Sequence, residues 1–300
     1  MKPTLASLLV LASFAVAAAQ DPVRSDDKYL VPLPQENDYA AAMREVARKF
    51  TGTQGVVIHV GDSMTIANPY TTWARQGRGR TPEDMAVLEW SHTNSRNRQL
   101  DGWWLARTAA GDNAYVAHTS TAGLTSKQII EGGPPRRNLP PLENILDKFK
   151  PQMVVFMVGS YDADDKRPVE EYKKYMTQAV EMCLERNAIP ILTTTCPRYN
   201  VIELSQGYNN ALREIAKEKG LPVVELEKEV FRLRPDDWNG ALQKRNGIHL
   251  TAGEAGGGCM NEPTPENLGK SGYHLRGYLT VKKIAEVKRT VIDPVVKMED

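Results

Sequence analysis

Cysteine is scarce in this chain, with Cys183, Cys196 and Cys259 the only three in 300 residues. An odd count leaves at least one thiol unpaired, and no Cys or Cys/His spacing matches a zinc site. Charge of one sign is also missing. Lys and Arg number 38 against 37 Asp and Glu, and Lys2 falls in a leader-like segment, leaving 37 of each. Nothing in that balance points to nucleic acid or an anionic membrane as a partner. Phosphate-binding glycine loops are absent, and so is the Gly-x-Ser-x-Gly elbow of the α/β-hydrolases. There are no internal repeats, and the one biased tract is Gly-Glu-Ala-Gly-Gly-Gly at 253–258.

The first twenty residues carry one lysine, a short apolar stretch and small residues at Ala17 and Ala19. This pattern predicts a secretory signal peptide over 1–19 and a secreted or periplasmic protein. The apolar run is too short to span a bilayer comfortably, so stable membrane insertion is not expected. The remaining 20–300 suits one large domain. Strands are expected at 55–60, about 113–119, 152–158, 188–195 and 221–226. Between them lie amphipathic segments. Val169, Tyr172, Met176, Ala179, Val180 and Cys183 make one helical stripe, 208–219 ends at Gly220, and a last helix covers about 279–292. Strands alternating with helices predict an α/β sandwich around a central, mainly parallel five-stranded sheet, covered on both faces. An insertion at about 66–110 interrupts the rhythm. It holds Trp73, Trp90, Trp103 and Trp104 and a helix start at Thr81-Pro82-Glu83-Asp84. These tryptophans fit either a small satellite core or a sugar-binding wall.

In parallel sheets, ligands bind beyond the carboxyl ends of the strands. The first strand ends in Gly61-Asp62-Ser63, the second runs into Ser120-Thr121-Ala122-Gly123, and the third ends in Gly159-Ser160-Tyr161-Asp162. The fourth ends in Cys196-Pro197-Arg198, and Asn246-Gly247-Ile248-His249 follows the fifth. A serine, a glycine amide and a histidine thus share one edge, the minimum for acyl transfer. Asp62 and Asp162 read as acceptors that fix their loops. His59 reads as a strand histidine, His92 and His118 lack metal-ligand spacing, and no metal site is expected.

In order and content these blocks resemble the SGNH (GDSL-type) hydrolase family over about 55–290. The resemblance implies a flavodoxin-like three-layer α/β/α fold and ester hydrolysis without a cofactor. It implies Ser63 as nucleophile, His249 as base, Asn246 as the residue orienting it, and an oxyanion hole from the amides of Ser63 and Gly123 with Tyr161 at its third position. The substrate would be a small-molecule or carbohydrate ester, with acetyl on carbohydrate one possibility.

Two blocks depart from the family pattern. Tyr161 stands where the family has asparagine, and loss of one oxyanion donor costs about 100- to 1000-fold. Asn246 stands where it has aspartate, a change worth about 10,000-fold in a Ser-His-Asp triad of another fold. The two losses are not additive within one unit. Asp236 or Asp237 could supply a carboxylate instead. His274, before the last helix, is the rival base. The departures leave open a second reading, a weak or silent SGNH-like domain that binds glycan or protein. If His249 is the base, 252–270 is a loop beside the site, and a Cys196–Cys259 disulfide could tie it down.

Overall fold

The β-branched run starting at Val56 becomes β1 (Val57–Gly61), and three further apolar runs become β2 (Met153–Met157), β3 (Ile189–Thr193) and β4 (Val223–Val224). They pair in parallel in the order β1-β2-β3-β4, with Val57 opposite Met153, Met153 opposite Ile189 and Leu192 opposite Val223. Every strand residue is buried. Since side chains alternate across a strand, both sheet faces are covered. The computed structural model describes residues 36–107, 118–133, 137–245, 247–253 and 258–299, all within one compact unit spanning 31–300.

The α/β class and parallel sheet are those expected, with four strands among the described residues rather than five. The strand expected at about 113–119 falls mostly outside them, as does the signal peptide at 1–19. Where that segment reappears it lies against β1. The Thr119 and Ser120 hydroxyls both donate to the His59 carbonyl, and Thr121 N–H donates to Gly61 O at 3.1 Å.

The helices are, in order, α1 (Glu36–Arg48), α2 (Ser63–Ile66), α3 (Asn68–Gln76), α4 (Pro82–Trp90), α5 (Gly102–Leu105), α6 (Ser126–Glu131) and α7 (Leu142–Phe149). Then come α8 (Ser160–Asp164), α9 (Val169–Glu185), α10 (Ile202–Lys219), α11 (Leu226–Leu233), α12 (Trp238–Ala241) and α13 (Pro265–Leu268). Last are α14 (Gly272–Val287), a π-helical turn at Lys288–Ile292, and α15 (Asp293–Glu299). None among the described residues is long and apolar enough to cross a membrane.

Local chemistry explains their ends. Thr81 and Asp84 form a reciprocal capping box with Pro82 at the first helical position of α4. Gly220 ends α10 in the left-handed region at φ +63°. The stripe of α9 buries Tyr172, Met176, Ala179, Val180 and Cys183. Two helices begin earlier than the sequence pattern indicates. α10 starts at Ile202 rather than 208, and α14 at Gly272 rather than 279, where the Ser271 hydroxyl caps it by accepting from His274 N–H.

The tryptophans of 66–110 do not form a separate satellite core. α3 and α4 pack on α14, and α5 packs on β1. Trp73 and Trp103 are fully buried in the main core, with Trp90 and Trp104 half-buried against it. The alternative of a Cys196–Cys259 disulfide, left open by the sequence, is not formed either. All three thiols are free and buried. Cys196 donates to Gln243 Oε1 at 3.7 Å, and Cys259 lies 3.2 Å from both Ala252 O and Ser271 Oγ.

Candidate active site

β1 leads into the site through a glycine that nothing else can replace. A Cβ on Gly61 would lie 2.1 Å from Thr65 Oγ1 and 2.7 Å from Met157 O. Asp62 then caps α2. Its Oδ1 accepts Met64 N–H at 2.9 Å and its carbonyl accepts Thr65 N–H at 2.9 Å. Ser63 is thereby held at the first position of a helix, where a backbone N–H has no intrahelical partner.

Three side chains meet at this turn. His249 Nε2 lies 2.9 Å from Ser63 Oγ, and Tyr161 Oη lies 3.3 Å from the same oxygen. All three residues are half-buried. His249 sits on a tight loop after α12, where its carbonyl accepts Lys244 N–H at 2.8 Å and Thr251 N–H donates to Leu242 O at 2.9 Å. Burial, and then the Lys244 ammonium, hold the imidazole's pKa below its usual value. The ring is therefore a neutral proton acceptor at neutral pH.

Gly123 lies in a loop docked on the end of β1. Gly61 N–H donates to Ser120 Oγ at 3.1 Å, and Thr121 N–H returns a bond to Gly61 O. Gly123 adopts φ +82° with nothing within 4 Å of a Cβ position. Backbone conformation rather than crowding therefore asks for glycine there. Asp162 ties this loop to Tyr161. Its carboxylate accepts from Ser126 N–H at 2.9 Å, from Ser126 Oγ at 2.6 Å and from Arg167 Nε at 2.6 Å. One buried carboxylate thus joins α6, which follows Gly123, to α8, which carries Tyr161.

The other sequence candidates lie elsewhere. His274 is buried, with neither ring nitrogen hydrogen-bonded among the described residues, its ring 6.4 Å from that of Trp73. The histidine beside Ser63 is therefore His249. Asn246 lies outside the described residues. Asp236 and Asp237 line a separate hollow with Tyr199, Trp238 and Arg245, and Arg234 pairs with Asp237 at 2.5 Å. Arg198 is engaged by Ser160 O and Asp164. His59 is buried 3.1 Å from Tyr70 Oη, its ring packed at a tilt on Trp103, and its pKa is lowered to about 3 by burial, then by Arg276 and Arg75. His92 bonds Gln54 O, and His118 packs on Trp104. No cluster of three potential metal ligands occurs among the described residues.

Two features escaped the sequence reading. Arg276, buried behind the turn, sits in the segment Gly-Tyr-His-Leu-Arg-Gly-Tyr, whose glycines and charge mask a core-facing helix. Lys244 acts on His249 only because the loop folds back. Beside this loop lies a cleft of about 980 Å³, lined by Arg78, Lys244, Thr251, Asn261, Asn267 and Lys270 among others.

Similar solved structures include a putative lipolytic protein of the G-D-S-L family from Desulfitobacterium hafniense DCB-2. It is 18% identical at a TM-score of 0.46, with 76% of this chain and 98% of that one covered. An Axe2 acetylxylan esterase mutant from Geobacillus stearothermophilus is 15% identical at 0.47, covering 78% and 96%. The acetyl xylan esterase AlAXEase is 14% identical at 0.47, covering 75% and 98%. No curated protein matches the chain. Residues 59–253, well over half of the sequence and including Ser63, Gly123, Tyr161 and His249, match the GDSL-like Lipase/Acylhydrolase family, and the chain belongs to that family.

Proposed function

We propose that this ester hydrolase works by serine acyl transfer, and that the 2.9 Å contact between His249 Nε2 and Ser63 Oγ carries the reading. Ser63 attacks the ester carbonyl while His249 takes its proton, and the imidazolium then protonates the leaving alcohol. The oxyanion is held by the amides of Ser63 and Gly123 and by the Tyr161 hydroxyl, which supplies from a longer side chain what asparagine supplies in the family. Asn246, three residues before His249, is proposed to orient the ring on the strength of sequence position. Without a carboxylate there, and with Lys244 nearby, the imidazolium is poorly stabilised, so turnover is modest.

The substrate is a small acyl ester whose alcohol part is rich in hydroxyl groups, such as an acetylated carbohydrate. The cleft beside the Lys244 to Thr251 loop supports this, because Asn261, Asn267, Thr251 and its cationic side chains offer partners for sugar hydroxyls. The leader-like N-terminus supports export. The decisive experiment treats folded protein with a fluorophosphonate and measures p-nitrophenyl acetate turnover. Stoichiometric labelling of Ser63, with both signals lost in Ser63→Ala, is the expected result. Absence of labelling and of turnover in folded wild-type protein rejects the enzyme reading in favour of a binding domain.

A further inference from the structure

The cleft of about 980 Å³ beside the Lys244 to Thr251 loop is lined by charge of one sign. Its described walls carry the cationic side chains of Arg78, Arg234, Lys244 and Lys270 and no carboxylate. The chain as a whole is balanced, with 38 basic against 37 acidic residues, so this wall is a local departure. Two of its charges are compensated from outside the cleft. Arg234 pairs with Asp237, and Lys270 with Glu266, each at 2.5 Å. Arg78 and Lys244 are exposed, and neither has an acidic partner among the described residues.

Both of these cations are held by their backbone. Arg78 follows α3, where its N–H donates to Met260 O at 2.9 Å and its carbonyl accepts from Nε1–H of the fully buried Trp73 at 3.0 Å. Lys244 N–H donates to His249 O at 2.8 Å. One free cation is thus anchored to the residue that meets Ser63, and Ala252, three residues beyond His249, lines the same cleft. A molecule filling the cleft lies alongside the loop that presents His249. Clefts lined by one sign of charge gather substrates of the opposite sign, and a guanidinium matches an oxyanion through paired N–H donors. An anion seated on Lys244 would also offset the charge that disfavours the imidazolium beside it, aiding proton transfer as well as binding.

We propose that this cleft is an anion subsite: the preferred ester carries an oxyanion, a carboxylate or a sulfate group, on its hydroxyl-rich alcohol part, held by Arg78 and Lys244. Its effect on turnover rests on the Ser63–His249 reading above, whereas binding of the anion does not.

The test compares three monoacetylated sugars of similar shape: methyl glucuronoside, its neutral uronamide, and methyl glucoside 6-sulfate. At low salt, kcat/KM for the acid should exceed that for the uronamide by about fivefold, the scale of one exposed charge contact. The ratio should shrink towards one at about 0.3 M salt, where exposed charges are screened. Arg78→Gln should lower the ratio and Arg78→Glu should invert it, whereas a merely structural loss would slow both esters alike. Preference for the acid over the sulfate names a uronic acid ester, and the reverse names a sulfated sugar; either supports the subsite. Equal rates for all three overturn it, as does a preference for the anionic ester that is undiminished in Arg78→Gln. If none of the three is hydrolysed, calorimetric titration of Ser63→Ala decides. Tighter binding of the acid or the sulfate than of the uronamide supports the proposal, and no difference overturns it. If the anionic ester binds preferentially but wild-type Ser63 resists the fluorophosphonate, the subsite stands and the serine esterase reading fails. If Ser63 is labelled and the three esters are treated alike, the esterase reading stands and the subsite fails.

Discussion

Tyr161 and Asn246 mark where this chain departs from its family, and the two positions now stand differently. The Tyr161 hydroxyl is within 3.3 Å of Ser63 Oγ, and in the proposed mechanism it takes the place of the missing asparagine. Tyr161→Phe should lower kcat by about 100-fold with little change in KM, as for removal of one oxyanion donor. Steady-state kinetics on p-nitrophenyl acetate measure the split, and a KM effect alone would mean that the hydroxyl only binds substrate. Asn246→Asp should raise kcat several-fold by adding the charge that stabilises the imidazolium. A flat response would show that another group orients the ring. pH dependence follows from His249. Its pKa is lowered, so activity should persist down through pH 6.5 and fall only as the ring protonates below that. Lys244→Gln removes a charge that lowers the pKa, and should therefore move the acid limb up by a few tenths of a pH unit. Because Lys244 is exposed, the same displacement should appear when salt screens wild-type protein.

At the scale of elements, the site depends on α6 and α8 being tied by one carboxylate. Asp162 is fully buried, and its carboxylate accepts from three donors, Ser126 N–H, Ser126 Oγ and Arg167 Nε. Asp162→Asn keeps the shape but removes the charge and leaves at least one of those donors facing an amide nitrogen. Leaving a buried donor unpaired costs about 2 kcal/mol, or roughly 3–4 °C in Tm for a protein of this size. Thermal unfolding reads the cost. Activity in the folded variant should fall as well, since Tyr161 and the Gly123 loop lose their common anchor. Elements of this kind were only partly legible in the sequence. β1 to β3 could be read because Val56–Val60, Met153–Val158 and Ile189–Leu192 are almost wholly apolar, broken only by His59, as strands buried on both faces are. The helix start at Thr81 was legible because a capping box is local chemistry. The first two turns of α14 were not, since Arg276, His274 and two glycines face the core there and break the apolar stripe. The same limit applies to the site. Ser63, Gly123 and His249 follow from motifs at strand ends, whereas the influence of Lys244 and the burial of Arg276 depend on contacts between distant segments.

For the whole molecule, the informative residues are the three cysteines that pair with nothing. A protein proposed for export through an oxidising compartment would gain from a disulfide, yet its stability comes instead from one continuous core into which the tryptophan-bearing helices are folded. Cys183 lies on the buried stripe of α9, Cys196 beyond the end of β3 and Cys259 beneath the loop after His249, each shielded from solvent. Burial pushes all three thiols above their usual pKa. Reaction with a disulfide reagent needs both access and thiolate, and the native fold withholds both. Native protein should therefore show no fast-reacting thiol towards Ellman's reagent, while the same unreduced sample in guanidinium should show three. Its Tm should not change with added dithiothreitol. A single reactive thiol in denaturant would reveal a disulfide between the other two, and a reductant-dependent Tm would show that it carries stability. Three titratable thiols with an indifferent Tm would place the whole burden of stability on the packed core that also aligns Ser63 with His249.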